Sequence, residues 1–305
     1  MEAGDYGAEP AAGPPLSRTA RYVALFRAIE SARPVRSRLF EDSLARGFLD
    51  CRLRLVASAA GLPLLRSFLP WYIDRRWRGA LSSLVIRTRL IDDALADALA
   101  AGVTQVVILG AGFDSRAYRT AGLGQVRVFE LDRREVLDAK RGAIERMLGT
   151  PLAHVVYVPV DFERDDLAEK LRESGYRAEP SFFIWEGVTS YLTAAGVDDT
   201  LRRVRGVSPP GSGIVFTYLD RRALDGSRAG LEPWAASADR AGERFTFGFD
   251  PAELSGYLAE RGFELIEDVS TAQAAPRYLR PLGRGGEASP LAHVARARRP
   301  GSRGG

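Results

Sequence analysis

Short apolar runs alternate with longer stretches of helical periodicity over most of the chain. The runs are rich in valine, isoleucine and phenylalanine, which is typical of strands buried on both faces of a parallel sheet. Helices are predicted between some of them, at residues 133–148, 196–206 and 250–261. The predicted strands lie at residues 106–109, 126–131, 154–160, 181–185, 212–219, 263–269 and 291–297. This alternation predicts an α/β fold with a doubly wound, mostly parallel seven-stranded sheet.

The chain before the first strand follows a helical pattern instead. Apolar residues recur there at intervals of three and four positions, as on one face of an α-helix. We predict helical structure within residues 16–60 and again at 71–101, with Pro63 and Pro70 as breaks between the two regions. Residues 18–101 are therefore predicted to form an extra N-terminal helical cap.

The remaining sequence consists of the core of the domain and two termini. Residues 1–17 contain acids and prolines without a basic apolar signal, which predicts a disordered leader. Residues 299–305 are predicted to be a flexible tail. One domain spans 18–298, with its core at 102–298 and a loop-rich insert at 221–250 before the last strands. The aromatic residues of this insert, which could cover a substrate as a lid, are Trp234, Phe245, Phe247 and Phe249.

Charge and cysteine content exclude several classes of function. The chain has 43 basic and 39 acidic residues, and its arginines are spread along the sequence, so we expect no nucleic-acid partner. No apolar run is long enough to span a membrane, and we expect no membrane partner. Cys51 is the single cysteine, which excludes an intrachain disulfide and favours a cytoplasmic location. We interpret the late arginines Arg296, Arg298, Arg299 and Arg303 as a solvated tail.

The segment from Gln105 to Asp132 has the most specific pattern. An apolar strand is followed directly by Gly110, Ala111 and Gly112, and glycines there permit a sharp turn and close approach of a ligand to the backbone. A short helix then leads to a second strand that ends at Asp132. A carboxylate at this place can accept hydrogen bonds from ribose hydroxyls. The segment therefore predicts a nucleotide-binding α/β unit.

The class of nucleotide depends on the residues that follow the turn. A dinucleotide fingerprint has a third glycine where this chain has Ser115. Asp114 would place negative charge at the helix N-terminus, where a pyrophosphate would bind. Either residue could also cap that helix. These features disfavour NAD and FAD, and an NAD-dependent dehydrogenase is kept as an alternative.

Two later strands also end in residues with possible chemical roles. Asp161 and Phe162 follow the third predicted strand, and Glu186 follows the fourth. The carboxyl ends of parallel strands meet at one edge, where ligands of open α/β sheets bind. Asp161 could equally cap the next helix. Tyr191 is interpreted either as part of a substrate pocket or as a packing residue.

The sequence LGAGFDSRAYR, followed by FELD, resembles the S-adenosylmethionine-dependent methyltransferases of the leucine carboxyl methyltransferase family. That family includes bacterial polyketide carboxyl and hydroxyl O-methyltransferases. EGVTSYL resembles its second signature, and IRTRLIDD resembles its segment before the first strand. The resemblance extends over about residues 18–298. It implies a Rossmann-like class I methyltransferase core with an antiparallel last strand.

The resemblance also implies roles in binding S-adenosylmethionine. The carboxylate of the methionyl part would bind to Arg87 or to Arg89, although Arg89 could pair instead with an aspartate one turn later. Arg27 in the cap is a further candidate. Asp161 would bind the adenine amine and Glu186 would face the amino-acid end. The implied cofactor residues are Arg87, Gly110, Ala111, Gly112, Asp132, Asp161, Phe162 and Glu186, with Tyr191 in the substrate pocket.

We expect methyl transfer from S-adenosylmethionine to an oxygen of a small molecule or peptide in secondary metabolism, with S-adenosylhomocysteine as the other product. A carboxylate acceptor is ionised at pH 7 and needs no general base, whereas an alcohol or phenol does. Of the two histidines, His154 and His293, neither lies in these motifs, which favours a carboxylate over a hydroxyl. A non-catalytic S-adenosylmethionine-binding protein is a second alternative. No metal site is expected, and the sequence indicates no oligomeric state.

Overall fold

The computed structural model describes residues 18–162, 164–224 and 244–301. The predicted leader, Trp234 and most of the predicted lid lie outside the described residues. The predicted flexible tail was wrong at its first residue, because Arg299, directly after the last strand, is hydrogen-bonded to the fold. Its amide donates to the carbonyl oxygen of Ser212 at 2.8 Å, and its own carbonyl accepts from the Gly211 amide at 3.1 Å.

A seven-stranded sheet forms the centre of the fold, with the strand order β3-β2-β1-β4-β5-β7-β6. Neighbouring strands are parallel, except that β7 is antiparallel to both β5 and β6. This arrangement confirms the predicted doubly wound, mostly parallel sheet with an antiparallel last strand. The strands are Gln105–Leu109 (β1), Arg127–Asp132 (β2), Val155–Pro159 (β3), Ser181–Trp185 (β4), Gly213–Leu219 (β5), Glu264–Ser270 (β6) and Ala292–Arg298 (β7).

Helices cover both faces of this sheet. Because successive side chains of a strand point to opposite faces, Val106 and Ile108 of β1 lie in one apolar core and Val107 and Leu109 lie in the other. The helices of the described residues are Arg18–Ser31 (α1), Cys51–Ala59 (α2), Leu65–Arg76 (α3), Ala80–Ala100 (α4), Arg116–Arg119 (α5), Arg134–Leu148 (α6), Leu167–Glu173 (α7), Ala194–Val207 (α8), Leu254–Glu260 (α9) and Thr271–Leu279 (α10). Within the described ranges, no helix is long and apolar enough to cross a bilayer.

The cap departs from the predicted helix boundaries. Pro70 does not break a helix but lies buried inside α3. The interruption comes instead at Gly79, whose φ of 78° lies in the left-handed region. It divides the predicted helical segment 71–101 between α3 and α4. A proline inside a helix costs about 3 kcal/mol in isolation, and burial of the Pro70 side chain acts in the opposite direction.

Helix α10 was not predicted, because it has only nine residues and follows a strand without a loop. A capping box begins it. The Ser270 hydroxyl accepts from the Gln273 amide, and the Gln273 side chain accepts from the Ser270 amide. Helix α9 is also shorter than the predicted 250–261, because the chain forms a turn before Leu254.

Three of the late arginines do not form a solvated tail as predicted, and Arg303 lies outside the described residues. Arg296 and Arg298 lie on β7, where Arg296 pairs with Asp97 at 2.9 Å and Arg298 with Glu264 at 2.8 Å. These acids lie on other elements of the fold, so proximity in sequence gave no sign of the pairs.

Candidate functional site

The glycine turn after β1 is closed by contacts that leave no room for side chains. Gly110 has a φ of 69°, and a Cβ atom there would approach Val188 Cγ2 to 2.5 Å. The amide of Gly112 donates to Asp132 Oδ2 at 2.8 Å. Between them, the amide of Ala111 bonds to the carbonyl oxygen of Leu131 at 2.9 Å. The turn is therefore tied to the end of β2, as the nucleotide-binding interpretation requires.

Asp132 and Asp161 lie at the ends of neighbouring strands. The amide of Val160 bonds to the carbonyl oxygen of Asp132 at 2.9 Å, which places Asp161 one residue beyond this contact. The Asp161 side chain is 45% exposed, and Phe162 packs half-buried against the second core. Asp166, and not Asp161, caps α7, so the capping alternative for Asp161 was wrong. Burial raises the pKa of Asp132, while the amides of Gly112 and Arg133 act in the opposite direction.

A buried group of charges, which we call the arginine cluster, joins three elements at this edge. Its centre is Arg116 of α5, which is almost fully buried. Arg116 reaches Asp114 at 2.5 Å, Glu186 at 2.7 Å and Asp92 at 2.7 Å. Asp92 also accepts two hydrogen bonds from one nitrogen of Arg119. The full cluster comprises Arg87, Asp92, Asp114, Arg116, Arg119 and Glu186.

The arginines of this cluster keep its acids ionised. Burial acts to raise the pKa of Asp114 and of Glu186, but the nearby Arg116 outweighs it, and both pKa values are lowered. Asp114 also accepts from the Arg116 amide at 2.7 Å and so caps α5, which settles the choice between Asp114 and Ser115. The hydroxyl of Ser115 is buried between Arg27 and Asp42. The start of α5 is therefore filled by side chains rather than open to a pyrophosphate.

The three candidate arginines occupy different surroundings. Arg87 donates from Nε to Glu186 Oε1 at 2.8 Å at the end of β4, and neither of its Nη atoms has an acceptor among the described residues. Arg89 pairs with Asp93 at 2.8 Å, as the alternative for this residue predicted. Arg27 is buried, with bonds to Ser115, to the Phe113 carbonyl and to Asp42. Of these three candidates, and with partners sought among the described residues, Arg87 alone presents unpaired guanidinium nitrogens at the edge.

Glu186 and Tyr191 lie in the segment after β4. Gly187 follows with a φ of 70°, and its amide donates to Thr217 Oγ1 of β5 at 2.8 Å. Tyr191 ends a single 3₁₀ turn, and its ring lies 5.3 Å from that of Phe245. The described end of the predicted lid thus contacts Tyr191. Its role in a substrate pocket stays a prediction.

A second buried pair, the lysine pair, lies beneath the glycine turn and was missed from the sequence. Lys140 of α6 and Glu130 of β2 are both fully buried, with Nζ and Oε2 2.8 Å apart. Lys140 also donates to the carbonyl oxygen of Ala111 at 3.2 Å, and Tyr118 donates to Glu130 at 3.1 Å. The available signal was an acid within an apolar strand, since a charge buried on a two-sided sheet needs a partner.

The two histidines have different hydrogen-bond partners. His154 Nε2 is 2.9 Å from the carbonyl oxygen of Ala117. His293 Nδ1 lies 3.1 Å from Asp268, and its ring stacks on Tyr218 with the centroids 4.9 Å apart. Tyr218 in turn donates to Asp268 at 2.6 Å.

These features together fit S-adenosylmethionine. The turn offers bare backbone, Asp132 offers carboxylate oxygens at the neighbouring strand end, and the unpaired nitrogens of Arg87 offer a fork for a carboxylate. The strand order with β7 between β5 and β6, together with this edge, defines the class of Rossmann-like S-adenosylmethionine-dependent methyltransferases.

Comparison with known proteins gives the family. The profile named leucine carboxyl methyltransferase matches residues 20–205. A candidate S-adenosyl-L-methionine-dependent methyltransferase of Frankia alni is 34% identical over 269 residues, which cover 87% of each chain. A protein of the same description from Streptomyces coelicolor is 34% identical over 267 residues, or 87% of this chain and 88% of its own. The chain belongs to the leucine carboxyl methyltransferase family, and its methyl donor is S-adenosylmethionine.

Solved structures support the fold independently. A DUF574 family protein from Streptomyces avermitilis has a TM-score of 0.58 at 16% identity, covering 93% of this chain and 98% of its own. A candidate methyltransferase from Thermobifida fusca also has a TM-score of 0.58, at 18% identity, covering 92% and 94%. At such identities the likeness concerns the fold alone.

Proposed function

We propose that this methyltransferase esterifies a carboxylate of a small molecule or peptide by O-methyl transfer. The observation that carries the proposal is the state of the two acids that Arg116 holds at the edge. The nearby Arg116 lowers the pKa values of Glu186 and Asp114. Neither acid is therefore suited to remove a proton at neutral pH. A carboxylate acceptor is already ionised there and needs no base. Expected products are a methyl ester and S-adenosylhomocysteine.

The protein residues act mainly by binding and orientation. Arg87 holds the carboxylate of the methyl donor, Asp132 accepts from its ribose hydroxyls, and Asp161 with Phe162 holds its adenine. The bound donor supplies a methyl group that is already activated by a positively charged sulfur. The site then has to align the acceptor oxygen with that methyl group and exclude water. Orientation of this kind is worth roughly 7–11 kcal/mol in favourable intramolecular reactions.

We also propose a cellular setting for this reaction. The resemblance to a family that includes bacterial polyketide O-methyltransferases favours a role in secondary metabolism, and the single cysteine favours the cytoplasm.

Turnover on matched acceptors tests this proposal. The purified protein is incubated with S-adenosylmethionine and pairs of compounds that differ only in a carboxylic acid or the corresponding primary alcohol. Formation of S-adenosylhomocysteine with the acids and not with the alcohols is expected. Turnover confined to the alcohols would reject the carboxylate, and donor binding without turnover on any pair would favour a non-catalytic protein.

One arrangement favours a hydroxyl acceptor as a second candidate. Asp268 accepts from Tyr218 and lies 3.1 Å from His293 Nδ1, so Nδ1 carries the proton and Nε2 is the basic nitrogen. Tyr218 follows Thr217, which binds the backbone of Gly187 beside the edge. An aspartate–histidine pair of this kind could remove a proton from a hydroxyl.

The pH dependence of kcat separates the two candidates. With a carboxylate acceptor, His293→Asn should leave kcat and its pH profile unchanged. A hydroxyl acceptor predicts a loss of about 10²–10⁴-fold in kcat, the usual contribution of a general base. The His154→Asn variant serves as the control, because that histidine contacts only a backbone carbonyl among the described residues.

A further inference from the structure

Helix α3 carries an apolar stripe on the face that is turned away from the protein. Leu64, Phe68, Trp71 and Tyr72 are each at least half exposed, and their spacing of four, three and one residues places them on one side of a helix. The opposite side of α3 is buried through residues such as Ile73. Of the ten large apolar residues that are exposed in the described ranges, six lie between Leu55 and Tyr72. An apolar patch of this kind marks an interaction site.

Positive charge surrounds the stripe. Residues 51–78 contain six arginines and one acid, which give this segment a net charge of +5. Because 43 basic and 39 acidic residues give the whole chain +4, the rest of the chain carries −1. The acid, Asp74, is already bonded to the amide and hydroxyl of Ser82. Among the described residues, no carboxylate pairs with the six arginines of this segment. These arginines are Arg52, Arg54, Arg66, Arg75, Arg76 and Arg78.

The end of α3 that carries Asp74 lies on the side of the molecule where the parallel strands end. Helix α4 is followed within five residues by β1, so its first turns extend toward the carboxyl ends of the strands. Arg87 meets Glu186 at that edge, and the seven residues before it continue about 10 Å farther. The bond from Asp74 to Ser82 fastens the end of α3 to those turns.

We propose that this face of α2 and α3 docks on the surface of an anionic lipid bilayer. Tryptophan and tyrosine rings are favoured at the boundary between headgroups and acyl chains, and arginines nearby are attracted to anionic headgroups. A second copy of the chain fits less well, because a symmetric contact would place unpaired arginines against one another without acids. The sequence gave no sign of this partner, since surface docking needs no spanning segment.

Sedimentation with vesicles tests the docking without any turnover, and its result is therefore separate from the proposed function. The full-length protein is mixed with vesicles of phosphatidylcholine alone or with a quarter of phosphatidylglycerol. Binding to the anionic vesicles is expected, with weaker binding to the neutral ones and release by high salt. Absence of binding to the anionic vesicles, or equal binding to both kinds, would overturn the proposal.

Two sets of variants locate the contact. Phe68→Ser with Trp71→Ser should lower binding by at least tenfold, whereas Ile266→Ser, an exposed apolar residue on β6, should not change it. Arg75→Gln with Arg76→Gln should weaken binding on the order of fivefold per arginine. The matched control removes two highly exposed arginines elsewhere, Arg177 and Arg202.

Folding and self-association are measured on the same variants. Thermal midpoint and donor binding equal to those of the parent show that a variant is folded, and the arginine pair remains informative if the serine variant is not. Equal losses in the stripe variants and their controls would overturn the proposal. So would a concentration-dependent dimer that the serine variant abolishes, because the face would then belong to a second copy.

Discussion

The arginine cluster and the lysine pair are both buried groups of opposite charges beside the glycine turn, yet they are built differently. Lys140 donates to the carbonyl oxygen of Ala111 in that turn, and Arg116 pairs with Asp114 directly after it. Arg116 is shared by three carboxylates, and the cluster opens at Arg87 toward the ligand edge. Lys140 and Glu130 are a closed pair with 0% exposure on both sides. A shared centre cannot be removed without leaving several charges unpaired, whereas a closed pair can be replaced as a unit. The first arrangement suits a site that meets a charged ligand, and the second suits a support beneath it.

Removal of the shared centre should have the largest effect. Arg116→Met leaves Asp92, Asp114 and Glu186 with fewer cations in a buried place, and we expect a loss of at least about 3–5 kcal/mol in the free energy of unfolding. Urea unfolding measures it. Adding Glu186→Leu should restore little, since two acids remain. A loss below about 1 kcal/mol in the single variant would show that these acids find other partners.

The closed pair should behave in the opposite way when both members are replaced. Lys140→Met alone should cost about 3 kcal/mol, at the lower end of the range because Glu130 can take up a proton. Adding Glu130→Leu should recover most of the loss, because the two apolar side chains fill the same space without charge. If the double variant were no more stable than the single one, the bonds to Ala111 and Tyr118 would outweigh the ion pair, and the contrast with Arg116 would be lost.

The two groups should also respond to pH with opposite signs. Burial raises the pKa of Glu130 from its usual 4.5 to about 6, although Lys140 acts against it. Between these values the folded state keeps a proton that the unfolded state has released, so stability falls by about 2 kcal/mol as the pH rises from 4.5 to 6. Glu186 has a lowered pKa, and its contribution is present above its usual pKa and lost as the pH falls.

Urea unfolding between about pH 3 and 7 measures both contributions. Glu130→Gln should remove the decline between pH 4.5 and 6, whatever its effect on stability at a single pH. Glu186→Gln serves as the control and should keep that decline while losing part of the acid-side dependence. The same pH slope in the parent and in Glu130→Gln would contradict the raised pKa.

The contrast between these groups also explains what the sequence could and could not predict. The strands, the glycine turn and Asp132 were predicted because each depends on neighbouring residues: an apolar run, a turn and the acid that ends the next run. The pair of Arg116 and Glu186 joins residues 70 positions apart, and periodicity contains no information about such contacts. Lys140 lies on an amphipathic helix and resembled a solvated residue, although it is one of only two lysines in the chain. The stripe on α3 was hidden in the same way, because an apolar helix face predicts burial.

The smallest expected effect concerns Arg87, where the arginine cluster opens to the ligand. Arg87→Lys keeps the positive charge but loses the planar fork that can bind a carboxylate with two parallel hydrogen bonds. We expect calorimetry to show about tenfold weaker binding of S-adenosylmethionine, or about 1.4 kcal/mol, with unchanged binding of adenosine, which has no carboxylate. Arg89→Lys is the matched control, because its partner is Asp93 and not the edge. If the Arg87 variant lost the same affinity for both ligands, this arginine would act by holding Glu186 against Arg116 and not by binding the carboxylate of the donor. The arginine cluster would then be as closed as the lysine pair, and the carboxylate of the donor would need another partner.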